Sequence, residues 1–272
     1  MLEGLPHGSR RGNLTARGTG LDAAAVYASE HALIYVEAIA LALLGLVFGS
    51  FYGVVAARVP ERRSIVSPPS SCPVCGHRLG ALDLIPVVSF LVQGARCRYC
   101  KAPIPWRYLW IEVASGAAFA GAHLISGGEW PLTLTGIVFL SFLLILTVVD
   151  LERMLLPDRL TLPGIGAGLV LAAAGAGYVS WTAALLGAAA GYAVLWAVRL
   201  AANGAMGGGD VKMFAMIGAF LGLADALWAL FCACLAGSLV GLGLILSRRH
   251  ERGRPLPFGP FLAVGAVAAL LI

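Results

Sequence analysis

Long runs without a charged residue are the feature that most constrains the fold of this chain. Pro131–Val149 contains no Asp, Glu, Lys or Arg, and the 39 residues of Leu160–Val198 contain none either. A helix needs about 20 consecutive apolar residues to cross the hydrocarbon core of a bilayer. Charged residues make up 12% of the chain, against about 25% in a soluble domain. The sequence therefore predicts an all-α polytopic membrane protein and excludes a soluble enzyme, a secreted disulfide scaffold and a disordered chain.

The apolar runs are long enough for about eight transmembrane helices. These runs are Leu33–Ala57, Tyr108–Ile125, Pro131–Val149, two helices within Leu160–Val198, two within Met213–Ser247, and Pro255–Ile272. We predict four regions: a disordered N-terminal extension over residues 1–31, transmembrane helix 1 over 32–57, a cytoplasmic cysteine domain over 58–107, and a seven-helix membrane domain over 108–272. The extension is expected to be disordered because its first 20 residues are polar and rich in glycine.

The positions of Lys and Arg predict the topology. After the three arginines of the first 20 residues, every Lys and Arg lies in or beside four alternate connections between the apolar runs. The connections around residues 127–130, 178–180 and 223–225 contain none. Because cytoplasmic loops carry the excess of positive charge, we expect the four basic connections in the cytoplasm and both termini outside. The net charge of +5 then belongs to membrane loops, and we expect no nucleic acid as a partner.

Four of the six cysteines form two C-x-x-C pairs in the predicted cysteine domain. Cys72 and Cys75 make the first pair, and Cys97 and Cys100 make the second. This spacing is typical of a tetrahedral zinc site with four thiolate ligands. Two disulfides are the alternative, which a reducing cytoplasm disfavours. Four thiolates fill the coordination shell, so the predicted zinc is structural and stabilises a segment that has few apolar side chains.

Two aspartates stand at the predicted cytoplasmic edge of the membrane. Asp150 follows the uncharged third run, and Asp210 opens the sixth predicted helix after the glycines at 207–209. An ionisable group at the edge of the hydrocarbon region is costly unless it is solvated or paired, and therefore indicates a functional site. Ordinary interfacial charge is the alternative, with Asp210 at a helix N-terminus. The three glycines favour a functional site, because they permit unusual backbone conformations and the close approach of a peptide.

These motifs together resemble the bacterial prepilin peptidases, also called type IV leader peptidases. Gly207-Gly208-Gly209-Asp210, followed by Val211-Lys212, is similar to the Gly-x-Gly-Asp element of the intramembrane aspartic peptidases. The resemblance extends from Leu46 to Leu246 and includes Asp150, Asp158, both cysteine pairs, Gly49-Ser50-Phe51, Arg58, Pro60, Ile85-Pro86, Ser89, Arg107-Tyr108 and Glu112. Gly53 and Leu84 depart from the family pattern, which has Asn at these positions in many members.

The resemblance implies a membrane aspartic endopeptidase. Its substrates would be type IV prepilins or type II secretion pseudopilins, cut after a glycine at the cytoplasmic face of the bacterial inner membrane, just before a hydrophobic segment that lies in the bilayer. The resemblance also implies N-methylation of the new N terminus with S-adenosylmethionine, an activity linked to the cysteine domain. The catalytic residues implied are Asp150 and Asp210, and we expect the residues that support them to be Gly207, Gly208, Gly209, Lys212 and Asp158.

Two carboxylates hydrolyse a peptide bond by sharing a proton. Asp150 ends a predicted helix, where the negative end of the helix dipole favours the role of acid. Asp210 begins a helix and lies near Lys212, which favours the role of base. Asp158 is the alternative to Asp150, but it follows a proline that interrupts the helix, and the resemblance favours Asp150.

Glu112 is a further acid inside an apolar run. It lies near the start of the second predicted span, so its charge needs a partner. We expect Arg107 or Arg58 as this partner, and a structural or methyl-transfer role for Glu112 rather than a proteolytic one.

Two other functions are compatible with an eight-span chain: a polytopic transporter, and a non-catalytic scaffold with a zinc docking module. A transporter typically has charges near the middle of the bilayer and related halves. In this chain the predicted topology puts the acids at one face, and the sequence shows no internal repeat. The peptidase is therefore the favoured function.

Overall fold

The structure is a computed structural model that describes residues 18–204, 206–247 and 256–272, with side chains from residue 31 onward. Its helices are α1 (Gly18–Arg58), α2 (Val88–Val92), α3 (Arg107–Ile125), α4 (Trp130–Arg153), α5 (Asp158–Ala173), α6 (Trp181–Ala201), α7 (Gly208–Leu246) and α8 (Gly259–Leu270). A short 3-10 helix, Ala81–Leu84, precedes α2. In these described ranges there are two isolated β-bridges and no strand, so the all-α fold class is confirmed.

Five of the helices within the described ranges are long and apolar enough to cross a membrane: α1 from His31 onward, α3, α4, α6 and α7. The protein is therefore a multi-pass membrane protein. α5 has 16 residues and α8 has 12, fewer than the about 20 that a full crossing takes. The predicted count of eight spans is thus not confirmed. Uncharged runs overestimate helix length, because the turn residues between helices are also uncharged.

α1 begins earlier than the sequence predicts. Residues 1–17 of the predicted N-terminal extension lie outside the described residues, but the helix starts at Gly18 rather than at residue 32. Residues 18–31 therefore continue the first membrane helix at its N-terminal side. Ala23-Ala24-Ala25 lies in this stretch, and alanine has the highest helix propensity of the amino acids.

Gly222 divides α7 into two parts. Its backbone angles, φ 78° and ψ −179°, lie in a region that is essentially restricted to glycine. Beyond this kink, Gly241 lies against Leu256. Leu256 closely precedes Gly259, whose backbone N–H contacts Asp150. The second part of α7 therefore returns to the end of the bundle that contains Asp150, in agreement with the two helices that the sequence predicts for this region.

α4 lies at the centre of the bundle. It packs against α1, α3, α5 and α8. Phe139, Leu146 and Val149 of α4 are fully buried, and the ring of Phe139 stacks on that of Phe220 of α7, with 4.6 Å between the centroids. Because the helix is surrounded by others, Asp150 in its last turn lies inside the bundle rather than on the lipid-facing surface.

The cysteine-containing segment between α1 and α3 lies at the same end of the bundle as Asp150. The guanidinium of Arg153, in the same last turn of α4, donates to Glu61 at 2.6 Å. Arg107, the first residue of α3, pairs with Glu152 at 3.1 Å. These contacts join both ends of the segment to the last turn of α4. The cytoplasmic location of the segment stays a prediction.

Candidate active site and metal centre

Asp150 is a buried carboxylate at the end of α4. The helix ends after Arg153 because Met154 adopts the left-handed conformation, with φ 52° and ψ 41°. Asp150 is 5% exposed, and its Oδ2 accepts the backbone N–H of Gly259 at 2.8 Å. The carboxyl group therefore faces the first residue of α8 in the interior of the bundle.

Gly259 is a site residue that the sequence interpretation missed. A Cβ atom on this residue would lie 2.7 Å from Oδ2 and 3.2 Å from Cγ of Asp150, which is closer than ordinary van der Waals contact. Only glycine allows this approach of the backbone. The signal in the sequence is Gly259-Pro260 at the start of the last apolar run. Proline is typical of the first turn of a helix, where backbone N–H groups have no partner within the helix.

Asp210 lies in the first turn of α7. Its carboxyl group accepts a hydrogen bond from the backbone N–H of Gly207, the N-cap residue of the helix. The acid of a capping box makes the same contact and satisfies an N–H at the helix start. The carboxyl groups of Asp210 and Asp150 interact electrostatically. The structure thus brings together two acids that are far apart in the sequence.

The glycines at 207–209 allow close approach rather than unusual backbone angles. Gly207 has φ −63° and ψ 139°, which most residues adopt. A Cβ atom on Gly209 would lie 2.5 Å from Cβ of Leu156, and one on Gly208 would clash with the guanidinium of Arg199. A larger residue at position 209 would therefore push the start of α7, and with it Asp210, away from the connection between α4 and α5, whereas at position 208 the flexible side chain of Arg199 can move aside.

Lys212, two residues after Asp210, forms an ion pair with Asp158. It thus contacts Asp158 rather than Asp210, the neighbour that the sequence suggests. Asp158 is the first residue of α5, and its side chain is 58% exposed, whereas Asp150 is buried. Burial next to Asp210 therefore favours Asp150 over Asp158 as the second member of the pair, and the ion pair joins the starts of α5 and α7.

Glu112 has partners that differ from the expected ones. Its Oε2 accepts the backbone N–H of Val87 at 2.7 Å, and its carboxylate also accepts a hydrogen bond from the Ser50 side chain. The expected pairing with arginine is wrong. Arg107 pairs with Glu152, and Arg58 donates to a backbone carbonyl at Ser64. Glu112 is 9% exposed and points between α1 and α3, where neither guanidinium lies.

Through Val87, Glu112 holds the cysteine-containing segment to the membrane helices. Val87 has φ 61° and ψ −53°, a combination that is rare for a β-branched residue. The hydrogen bond from its N–H to a buried carboxylate stabilises this conformation, since such charge-assisted bonds are stronger than neutral ones. Ser50 belongs to α1, Glu112 to α3 and Val87 directly precedes α2, so one carboxylate connects three elements.

The four predicted metal ligands lie together at the tip of the segment. The Sγ atoms of Cys72, Cys75, Cys97 and Cys100 are all within 4.8 Å of one another, and those of Cys72 and Cys100 are 3.8 Å apart. Tetrahedral zinc with Zn–S bonds of about 2.3 Å places its sulfur ligands about 3.8 Å apart. A disulfide has its sulfurs at about 2.05 Å. The donor set and its spacing therefore suit a structural zinc ion.

Backbone hydrogen bonds shape both cysteine knuckles in the same way. The N–H of Gly76 donates to the carbonyl of Cys72 at 2.9 Å, and that of Lys101 donates to Cys97 at 3.0 Å. Gly76 and Lys101 both have positive φ, 71° and 60°. Backbone N–H groups after Cys72, chiefly that of Cys75, lower the pKa of the Cys72 thiol to about 6. The lowered pKa favours the thiolate of Cys72, the form that binds a metal, whereas burial and the neighbouring thiols raise the pKa of Cys100 to about 11.

Two protein-family models match the chain. The Bacterial Peptidase A24 N-terminal domain matches residues 43–125, and the Type IV leader peptidase family matches residues 137–242. The first match contains the four cysteines and Glu112, and the second contains Asp150 and Asp210.

Curated relatives are similar over most of the chain. The prepilin leader peptidase/N-methyltransferase of Bacillus subtilis is 38% identical over 234 residues, which cover 85% of this chain and 92% of the relative. The protein of the same name from Aeromonas hydrophila is 38% identical over 258 residues, covering 84% and 88%. That of Pseudomonas aeruginosa is 34% identical over 274 residues, covering 90% and 93%. No solved structure gives a significant match.

Proposed function

The chain belongs to the type IV leader peptidase family, and we propose that it is a membrane aspartic endopeptidase that removes the leader peptide of type IV prepilins or type II secretion pseudopilins. The names of its relatives, prepilin leader peptidase/N-methyltransferase, support a second activity, the methylation of the new N terminus with S-adenosylmethionine. The observation that carries the peptidase proposal is that the buried Asp150 lies close enough to Asp210 for the two carboxyl groups to interact electrostatically.

Asp150 and Asp210 act as one proton-sharing pair. Each accepts a backbone N–H at the start of a helix, Asp150 from Gly259 of α8 and Asp210 from Gly207 of α7. The contact with α8 offsets the influence of the C-terminal end of α4, so helix dipoles do not distinguish the acid from the base. Two neighbouring carboxyl groups hold one proton between them, because the repulsion between two charges disfavours the doubly ionised state.

Hydrolysis proceeds through two proton transfers. The ionised carboxylate takes a proton from a water molecule while the water oxygen attacks the scissile carbonyl carbon, and the protonated carboxyl group gives its proton to the carbonyl oxygen. Collapse of the gem-diol breaks the C–N bond, and a proton moves to the leaving amine. The products are a leader with a new carboxylate and a mature chain with a free N terminus, the group that methylation modifies.

A structural zinc ion would stabilise the cysteine-containing segment. The four cysteines supply four thiolates, so the metal has no open position for water and does not take part in hydrolysis. The segment is joined to the last turn of α4 by the pairs Arg153–Glu61 and Arg107–Glu152. Its fold therefore affects the surroundings of Asp150, and we assign methyl transfer to this segment on the basis of the family.

We place the paired acids at the cytoplasmic face of the bacterial inner membrane. Basic residues lie at the helix ends on the side of Asp150, and cytoplasmic loops carry the excess of positive charge. These residues are Arg58, Arg63, Arg107, Arg153, Arg199 and Lys212. A substrate whose leader is basic and whose remainder lies in the bilayer would meet the acids at this level.

Cleavage of a purified prepilin in lipid vesicles, measured by mass spectrometry, tests the proposal. The wild-type protein is expected to remove a leader, and S-adenosylmethionine is expected to add ~14 Da, one methyl group in place of a hydrogen. Asp210→Asn is expected to abolish cleavage, since one member of the pair can no longer be ionised. Asp225→Asn is the matched control, because Asp225 is exposed and lies just beyond the kink of α7. A prepilin of unchanged mass after treatment with the wild type would favour the transporter or scaffold.

A further inference from the structure

An apolar groove runs along α4 between α3 and α8. Both α3 and α8 pack against α4, and the space between them has a volume of about 350 Å³. Leu140 and Leu143 form its buried floor. Ala114 lines it from α3, and Val264 and Val267 line it from α8. Val264 is 58% exposed and Val267 is 39% exposed, so the groove is open at the surface that faces lipid.

The groove leads to Asp150. Leu140, Leu143, Thr147 and Asp150 recur at intervals of three and four residues, and so lie on one face of α4. Leu140 and Asp150 are separated by about 15 Å along the helix axis, at 1.5 Å per residue. On the opposite wall, the groove-lining Pro260 directly follows the glycine whose N–H binds Asp150. The inner end of the groove, at Thr147 and Pro260, is therefore about one helical turn from Asp150.

A buried hydroxyl without a partner lies at this inner end. Thr147 lines the groove, and its Oγ1 has no hydrogen-bond partner within the described residues. Thr147 is one helical turn before Asp150 on the same face. An unsatisfied buried polar group is unfavourable, but this oxygen is buried although the groove is open, so a chain in the groove would contact it only after Thr147 changes its rotamer. The other residues that line the groove are apolar.

We propose that this groove binds the apolar helical segment of the substrate that continues from the scissile bond into the bilayer. This inference rests on the proposed peptidase function. A polypeptide at this depth must be helical, because the hydrocarbon offers no partners for its backbone N–H and C=O groups. With the scissile bond at Asp150, about two turns of that helix lie against the leucines and valines of the groove.

The shape of the groove favours a helix as its occupant. Ala114 and Ala118 on the α3 side are small, and small residues let two helices approach closely within a membrane. The open lipid-facing side allows a helix to enter laterally, without passing through water. The groove therefore selects substrates that are apolar over the two turns after the cleaved bond, and a charged residue in these turns is expected to prevent binding.

Photo-crosslinking tests which surface the substrate contacts. A photoreactive amino acid replaces Val264 in one Asp210→Asn protein and Leu186 in another, so that the prepilin is bound but not cut. Leu186 is 66% exposed on α6, and it is the matched control because α6 packs against α5 and α7 rather than α4. We expect crosslinks from position 264 to the apolar segment of the prepilin, and none from position 186.

Two other crosslinking results would contradict binding of the substrate helix in the groove. These are equal crosslinking from both positions, or products from position 264 that contain only lipid or a second copy of this chain. Cleavage by the wild-type protein is measured in parallel. If one of these crosslinking results is found while the wild type cleaves normally, only the inference about the groove is contradicted. A wild-type protein that does not cleave contradicts the proposed function.

Filling the groove gives an independent test. Ala114→Phe is expected to raise KM for the prepilin about tenfold with kcat little changed, because the ring occupies the space of the substrate helix and leaves the acids in place. Ala117→Phe is the matched control, since Ala117 is exposed on the same helix and does not line the groove. An Ala114→Phe protein with the KM of the Ala117→Phe protein would overturn the inference.

Discussion

The substitution Gly259→Ala tests the contact between α8 and the paired acids. The added Cβ would lie 2.7 Å from Oδ2 of Asp150, which is 0.7 Å short of the 3.4 Å at which ordinary contact begins. Alanine adopts the backbone angles of residue 259 without strain, since φ of Gly259 is not positive. The clash is therefore with the carboxyl group, and either this group or the start of α8 must move by most of 1 Å.

The expected loss follows from this displacement. A shift of about 1 Å in a group that acts on the substrate lowers the rate by about 10²-fold. We therefore expect kcat for prepilin cleavage to fall about 10- to 100-fold in Gly259→Ala, with a smaller change in KM. Initial rates of leader removal in vesicles measure both constants, and thermal unfolding of the same preparation shows that the protein is folded.

Gly243→Ala is the control for this substitution. No atom lies within 4 Å of the position that its Cβ would occupy, and Gly243 lies inside α7. Cleavage should be unchanged, while the unfolding free energy rises by up to about 1 kcal/mol because alanine favours a helix over glycine. A Gly259→Ala protein as active as Gly243→Ala would refute the contact between Gly259 and Asp150 as a feature of the active state.

Four further substitutions and a change of pH test the cysteine-containing segment and its contacts. Cys97→Ser is expected to lower bound zinc, measured by elemental analysis, and to abolish methyl transfer, whereas zinc content equal to the wild type would exclude the four-cysteine site. Lowering the pH should release zinc as the thiolates are protonated. Glu112→Ala leaves the N–H of Val87 without an acceptor and is expected to cost about 1–3 kcal/mol of stability, with Glu112→Gln closer to the wild type in denaturant unfolding. Arg153→Ala removes the hydrogen bond that chiefly lowers the pKa of Glu61, so that pKa should rise toward its usual value in an NMR titration.

Part of the site is encoded in short stretches of sequence. Each C-x-x-C pair forms within one tight turn, closed by the N–H of Gly76 or Lys101, so its spacing alone predicts a ligand pair. Asp210 at the start of a helix is similarly local, because its carboxyl group accepts an N–H only three residues earlier. The alternation of basic and uncharged connections further predicts that Asp150 and Asp210 lie at one end of the bundle, and the structure places them there.

The partners of individual side chains were not predictable in this way. The sequence suggests Arg107 or Arg58 for Glu112, but the structure gives it Val87 and Ser50. Likewise, Lys212 pairs with Asp158 across two helices. Each of these contacts depends on the rotation of a helix about its own axis, and uncharged apolar runs contain little information about that rotation.

The sequence by itself predicted the membrane class, a four-cysteine metal site and the two candidate acids, because runs of apolar residues, ligand spacing and helix ends are local properties of the chain. The tertiary structure alone decided that five helices have spanning length, that Gly259 contacts Asp150, and that a groove between α3 and α8 reaches Thr147, one turn before this residue. These features depend on how helices distant in the chain pack, at what depth and with which face inward. Packing of whole helices sets those variables, and no short stretch of sequence specifies them.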